Sequence, residues 1–273
     1  MSRRRPSLPA TDLTAHAGWL EPHFTIQKPP GPGPFPVCLQ FHGCGGILDM
    51  QFQYARAARQ AGFAVVVVDS FGPRGVSRAS ALTTICTGAR FRGAERTLDV
   101  LAALDWASRQ PWADPDRIAL AGWSHGAWAA MEALTGPARN WQAARLPVKA
   151  AILFYPYCGP LSHTASWGWG ENRPAVHACL GGRDVVVGTA APRRALRRLE
   201  ADGLKVRSLL LEEAAHCFDE DAPEAPSSRF RPDLAEIARN FYVEALSESL
   251  ASQPSRPVRH LRGETKRREQ CFG

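Results

Sequence analysis

Short apolar runs recur along the chain, separated by longer stretches in which apolar positions return with helical spacing. The runs are "FPVCLQF" (35–41), "FAVVVVD" (63–69), "RIALAGW" (117–123), "AAILFY" (150–155), "AVHACLG" (175–181) and "VRSLLLE" (206–212). Each is strand-length and most are apolar at consecutive positions, the pattern of a strand covered on both faces. Helix-like windows fall between them. Residues 51–61 stop at Gly62, and 93–109 bring Leu98, Leu101, Leu104 and Trp106 towards one side before Pro111. Residues 190–202 stop at Gly203, and 232–246 open with Pro232. Strands alternating with helices in this way predict an α/β fold, a mostly parallel sheet with helices on both faces. Sheets of this kind carry their sites at the carboxyl ends of the strands.

A chain of 273 residues is long enough for one large domain. The segment "QKPPGPGPFP" (27–36) reads as a rigid loop feeding the first central strand, since too little chain precedes it for a separate domain. "DEDAPEAPSSRFRP" (219–232) reads as a polar loop. The folded body is expected over 12–246, between basic tails at 1–11 and 247–273.

Charge changes this picture only at the ends. The net charge of +7 would point to nucleic acid if it lay on a folded surface. Nine of the 33 basic and two of the 26 acidic side chains lie in residues 1–11 and from 251 onward, which leaves 24 of each in between. The body is neutral, the tails read as flexible solvated chain, and no nucleic-acid partner is expected. No apolar run approaches the ~18 residues of a membrane span. No apolar segment follows the basic start, so no secretory signal is read and a cytoplasmic location is the default. The seven cysteines include no CxxC pair and no metal-site spacing. Cys44 with Cys86, or Cys158 with Cys217, are candidate neighbours above the sheet, but buried reduced thiols are the expectation for a reducing compartment.

The chemistry begins at "LAGWSHGAWAA" (120–130), where Gly122-Trp123-Ser124-His125-Gly126 matches G-x-S-x-G. An apolar strand runs into the motif and a strong helix former leaves it, the strand-turn-helix setting that lifts a serine hydroxyl above a sheet. A serine needs a base within hydrogen-bond reach and a carboxylate to hold that base. His125 is nearest in sequence, but on such a turn its side chain leaves in another direction. Its backbone N–H is the useful part, as one donor of an oxyanion hole. The second donor is expected in "FHGCGG" (41–46), at Cys44 N–H or alternatively Gly43. Asp184, just beyond the run at 175–181, and His216, just beyond the run at 206–212, stand at the strand ends where Ser124 also sits. They are the expected orienting acid and base, with Glu213 as reserve acid and His163 and His177 as weaker bases.

These residues resemble the dienelactone hydrolase family of the α/β-hydrolase fold. The matching pieces are "QFHGCGG", "VVVVDSFGPRG", "LAGWSHGAWAA", "LFYPY", "LGGRD" and "AAHCFDED", in family order over residues 37–221. The resemblance implies hydrolysis of a small-molecule ester or lactone through an acyl-enzyme, with no metal or organic cofactor and no membrane partner. Dienelactone hydrolase itself uses a cysteine nucleophile where this chain has Ser124, and a glutamate where Gly43 stands. Of its two substrate-carboxylate arginines, Arg74 matches one, while Glu220 occupies the place of the other. A repelling charge there disfavours a carboxylate, which implies a serine esterase or lactonase rather than dienelactone hydrolase itself. Arg74, Phe71 and Tyr155 are the expected substrate-binding residues, with Tyr157, Trp167 and Trp169 as further candidates for the pocket wall. Acyl transfer or peptide hydrolysis on the same triad, or a non-catalytic binding role, are the alternatives.

Overall fold

All six apolar runs form strands. The structure is a computed structural model that describes residues 12–135, 148–169, 172–221 and 230–251. Its strands are β1 (Phe24–Gln27), β2 (Phe35–Phe41), β3 (Ala64–Val68), β4 (Ala113–Trp123), β5 (Val148–Phe154), β6 (Ala175–Gly181) and β7 (Val206–Leu211). They build one seven-stranded sheet in the order β1-β3-β2-β4-β5-β6-β7. Only β1 runs antiparallel, on β3, and every other pairing is parallel. The helices are α1 (Leu13–Leu20), α2 (Asp49–Gln60), α3 (Arg78–Thr84), α4 (Gly93–Ser108), α5 (His125–Thr135), α6 (Thr164–Trp167), α7 (Ala190–Ala201) and α8 (Pro232–Leu250).

Continuous apolar runs follow from burial on both sides of this sheet. Successive side chains of a strand point to opposite faces, and each face has its own core. Leu39, Phe41, Val66, Val68, Leu120 and Leu153 pack with α1, α4, α5 and α7. Cys38, Val65, Val67, Ala121, Ile152 and Phe154 pack with α2 and α8 on the other face. A single α/β-hydrolase domain results, as expected.

The differences from the sequence reading lie at the periphery. β1 is four residues long with two of them exposed, so it carries no apolar run. α1 starts from an Asp12 cap whose Oδ1 accepts from Thr14 N and Ala15 N. It had no repeating pattern to mark it. β4 starts at Ala113, ahead of its apolar run, because Ala113 pairs with Phe35 before the register shifts. α8 continues past residue 246 to Leu250, whose side chain is buried. The expected tail at 1–11, most of that at 247–273 and most of the loop at 219–232 lie outside the described residues. Among those described, no helix is long and apolar enough to cross a membrane.

Candidate active site

The β4–α5 junction puts Ser124 at φ 49°, in the left-handed region that non-glycine residues rarely occupy. The turn is held from both sides: Ser124 N donates to Phe154 O at 2.9 Å, and Ser124 O accepts from Trp128 N at 2.9 Å. The flanking glycines are required by space. A Cβ on Gly126 would lie 2.0 Å from Phe41 O, and one on Gly122 would lie 2.5 Å from Ala127 N. Backbone strain at a residue held by so many contacts is characteristic of functional turns.

Ser124 Oγ lies 3.0 Å from His216 Nε2, and His216 Nδ1 lies 2.8 Å from Asp184 Oδ2. All three side chains are buried. Asp184 is fixed by its other oxygen, which accepts from Val186 N at 2.9 Å and Val187 N at 3.0 Å. A carboxylate held this way accepts a hydrogen bond from Nδ1–H and keeps the proton on that nitrogen, which leaves Nε2 to accept from the serine hydroxyl. The edge of the Tyr155 ring packs on His216, with centroids 4.9 Å apart. The three residues come from the ends of β4, β6 and β7, as the sequence places them.

His125 has a different surrounding. Its Nε2–H donates to Phe91 O at 2.7 Å, and its Nδ1 accepts from Arg96 Nη1 at 3.2 Å. Burial, reinforced by the Arg96 charge, holds its pKa down to about 3, so the ring is neutral. Both ring nitrogens are occupied away from Ser124, and its side chain is no partner for that hydroxyl.

The loop 41–46 lies against the serine: a Cβ on Gly43 would be 3.8 Å from Ser124 Cβ. Behind it runs a polar network that sequence reasoning missed. Arg96 donates through Nη1 to His42 O at 2.7 Å and through Nε to Ser70 Oγ at 2.9 Å. His42 donates from Nδ1 to Gly43 O at 2.7 Å and accepts at Nε2 from Ser70 N. Burial, then the Arg96 charge, pushes the His42 pKa well below its ordinary value. One guanidinium therefore ties the loop 41–46 to the segments that carry Ser70 and His125. Arg96 sits in a helix window that reads as ordinary amphipathic sequence, and no local signal shows that its partners lie so far along the chain.

Cys44 is joined to Cys86 in a disulfide with Cα atoms 5.3 Å apart. This corrects the expectation of reduced thiols at those positions. Cys158 and Cys217, the other candidate neighbours, are both free.

A cavity of about 410 Å³ opens on Ser124 and His216. Leu82, Ile85, Trp128, Leu161, Val186 and Val187 make its wall apolar, while Arg78, Cys217 and Glu220 bring polar groups to it. Tyr157 and the Cys44–Cys86 pair also line it. The three expected substrate-binding residues do not. Arg74 is committed to Asp99 by two hydrogen bonds of 3.0 and 2.8 Å and stacks over Phe91. Phe71 is buried with Ala81 and Ile85, against the His42 ring. Tyr155 donates its hydroxyl to Asp219 Oδ1 at 2.7 Å and supports His216 from behind. Each aromatic or cation finds a buried protein partner in place of the cavity.

The reserve candidates are also engaged elsewhere. Glu213 pairs with Arg183 at the surface, and His163 pairs with Glu132 and stacks on Trp167. His177 bonds Ser249 at the far side of β6, and Trp169 is buried with its N–H on Thr164. Among the described residues, no three His, Cys, Asp or Glu side chains gather into a metal-binding group.

The sequence profile of the dienelactone hydrolase family matches residues 24–248. No curated protein matches. Solved structures share the fold. A dienelactone hydrolase-like promiscuous phosphotriesterase from metagenomic libraries superposes with a TM-score of 0.67 at 19% identity, over 83% of this chain and 98% of that one. Esterase 2 of Thermogutta terrifontis, phosphorylated by paraoxon, gives 0.62 at 19% identity, over 84% and 90%. Dienelactone hydrolase of Anabaena variabilis gives 0.56 at 19% identity, over 81% and 91%.

Proposed function

The chain belongs to the dienelactone hydrolase family, and from that premise we propose that it is a serine hydrolase that cleaves a small-molecule carboxylic ester or lactone through an acyl-enzyme. The observation that carries this reading is the Ser124–His216–Asp184 chain of hydrogen bonds at the floor of a largely apolar cavity. His216 Nε2 takes the Ser124 proton as Oγ attacks the carbonyl carbon, and Asp184 steadies the imidazolium that forms. The N–H groups of His125 and Cys44 receive the oxyanion. His216 then returns the proton to the leaving alcohol. Water, deprotonated by the same imidazole, releases the acid and restores the serine. The apolar walls favour an acyl or alcohol group with hydrocarbon character.

Ser124→Ala should lower turnover of a short p-nitrophenyl ester by roughly 10,000-fold or more. Paraoxon, the reagent that phosphorylates the Thermogutta esterase, should add one phosphoryl group to the native chain, located on Ser124 by peptide mass spectrometry. Turnover near wild type in the variant, or an adduct on another residue, would overturn the assignment.

A further inference from the structure

Glu220 stands where a wall of this cavity meets the floor. Its side chain is 5% exposed and lines the cavity together with Ser124 and His216. A Cβ on Gly43 would lie 3.8 Å from Glu220 Oε1 and equally 3.8 Å from Ser124 Cβ. That places the carboxyl close to the nucleophile, on the substrate's side of the loop 41–46. The nucleophile, base and acid already described do not use it.

Its neighbours make its charge conditional. Asp219, next in the chain, is buried and accepts from Tyr155 Oη at 2.7 Å and Tyr54 Oη at 2.8 Å. Burial raises the pKa of Asp219, and those two donors oppose the rise and favour its ionised form. A second carboxylate beside it, out of water, is disfavoured. Burial, then the Asp219 charge, holds the Glu220 pKa up to about 7. The Cys217 thiol, which donates to Glu220, opposes this shift, as do His216 on the same loop and Arg78 from α3. Tyr155, at the end of β5, also feels the Glu220 charge, and its hydroxyl is already given to Asp219.

We propose that Glu220 makes the cavity a pH-dependent charge filter: with its carboxyl neutral the cavity takes esters that carry a carboxylate, and with it ionised the cavity rejects these while still taking uncharged esters. This rests on the proposed ester hydrolysis and names the substrate property that the cavity sorts. The sign follows from the proton. On the acid side Glu220 carries its proton and can donate a hydrogen bond to a substrate carboxylate. Above neutrality it has lost that proton to solvent and faces the carboxylate as a like charge.

The test is a ratio. Two ester pairs are assayed across the pH range, one with a carboxylate on the acyl chain (monomethyl adipate against methyl hexanoate) and one with it on the leaving group (p-carboxyphenyl against p-nitrophenyl butanoate). The protonation of His216 bears on both members of a pair, so it cancels in the ratio of their kcat/KM values. In the wild type the charged-to-uncharged ratio should fall on the order of tenfold or more between about pH 5.5 and about pH 8.5, in at least one pair. In Glu220→Gln, which cannot ionise, the ratio should stay flat. Glu220→Met repeats the test if the amide proves unstable in this buried place, and the wild-type profile is read on the native chain in any case. A wild-type ratio that is flat in both pairs, carboxylate esters refused at every pH, or a fall that persists in the Gln and Met variants would overturn the filter alone. No turnover of any of the four esters would overturn the proposed hydrolysis and the filter with it.

Discussion

Two histidines near one serine carry opposite duties, and their surroundings separate them. His216 offers a free lone pair to Ser124, while His125 spends both ring nitrogens on Phe91 and Arg96. His216→Ala should therefore remove nearly all turnover with little effect on folding. His125→Ala should cost far less turnover but lower stability by about 1–3 kcal/mol, since it leaves an Arg96 N–H buried without its acceptor. Kinetics and chemical unfolding of both variants check this. The same burial fixes a pH dependence. His125 is pushed from 6.5 down to about 3 in the folded chain. Between those values the unfolded chain binds the extra proton, so stability is present above about pH 6.5 and is lost as pH falls towards 3. The group's slope is about 1.4 kcal/mol per pH unit. Unfolding free energies measured from neutral pH downward should show this slope, and it should be shallower in a His125→Gln variant.

At the level of elements, what the sequence discloses depends on who covers whom. β2, β3 and β6 are legible because both faces are buried, which turns their composition into unbroken apolar runs. β1 and α1 are not, because they pair or pack along the edge and need few apolar positions. The turn at Ser124 is legible for a steric reason: Phe41 O and the start of α5 leave no room for a Cβ on either side of it. Gly126→Ala should thus destabilise the chain by about 3 kcal/mol and displace the loop that follows β2. A thermal melt, with turnover measured well below its midpoint, separates the two losses. Of the residues the sequence suggests for the cavity wall, Tyr157 lines it and the three expected substrate-binding residues do not. Arg74, Phe71 and Tyr155 all sit near the right strand ends, but Asp99, His42 and Asp219 claim them, and such pairings across 25 to 64 positions leave no mark on a local pattern.

Across the whole molecule, the Cys44–Cys86 bond closes a loop with a sequence separation of 42. On chain-entropy grounds a loop of that size contributes about 4 kcal/mol by restricting the unfolded chain. It also joins the loop that carries the proposed oxyanion donor to the cavity wall after α3. Reduction should therefore lower the melting temperature and depress turnover together, measured with and without a thiol reductant. Unchanged turnover alongside a lowered melting temperature would limit the bond to stability.

Arg96 sets a limit on how this protein can be re-engineered. Its guanidinium is shared among the loop after β2, the loop after β3 and the first turns of α5. Transplanting any one of these from a homologue would leave a buried cation facing acceptors of the wrong shape. Recombination between relatives should succeed only when crossovers keep residues 41–46, 69–75, 91–96 and 122–126 from a single parent, so the site is inherited as one block.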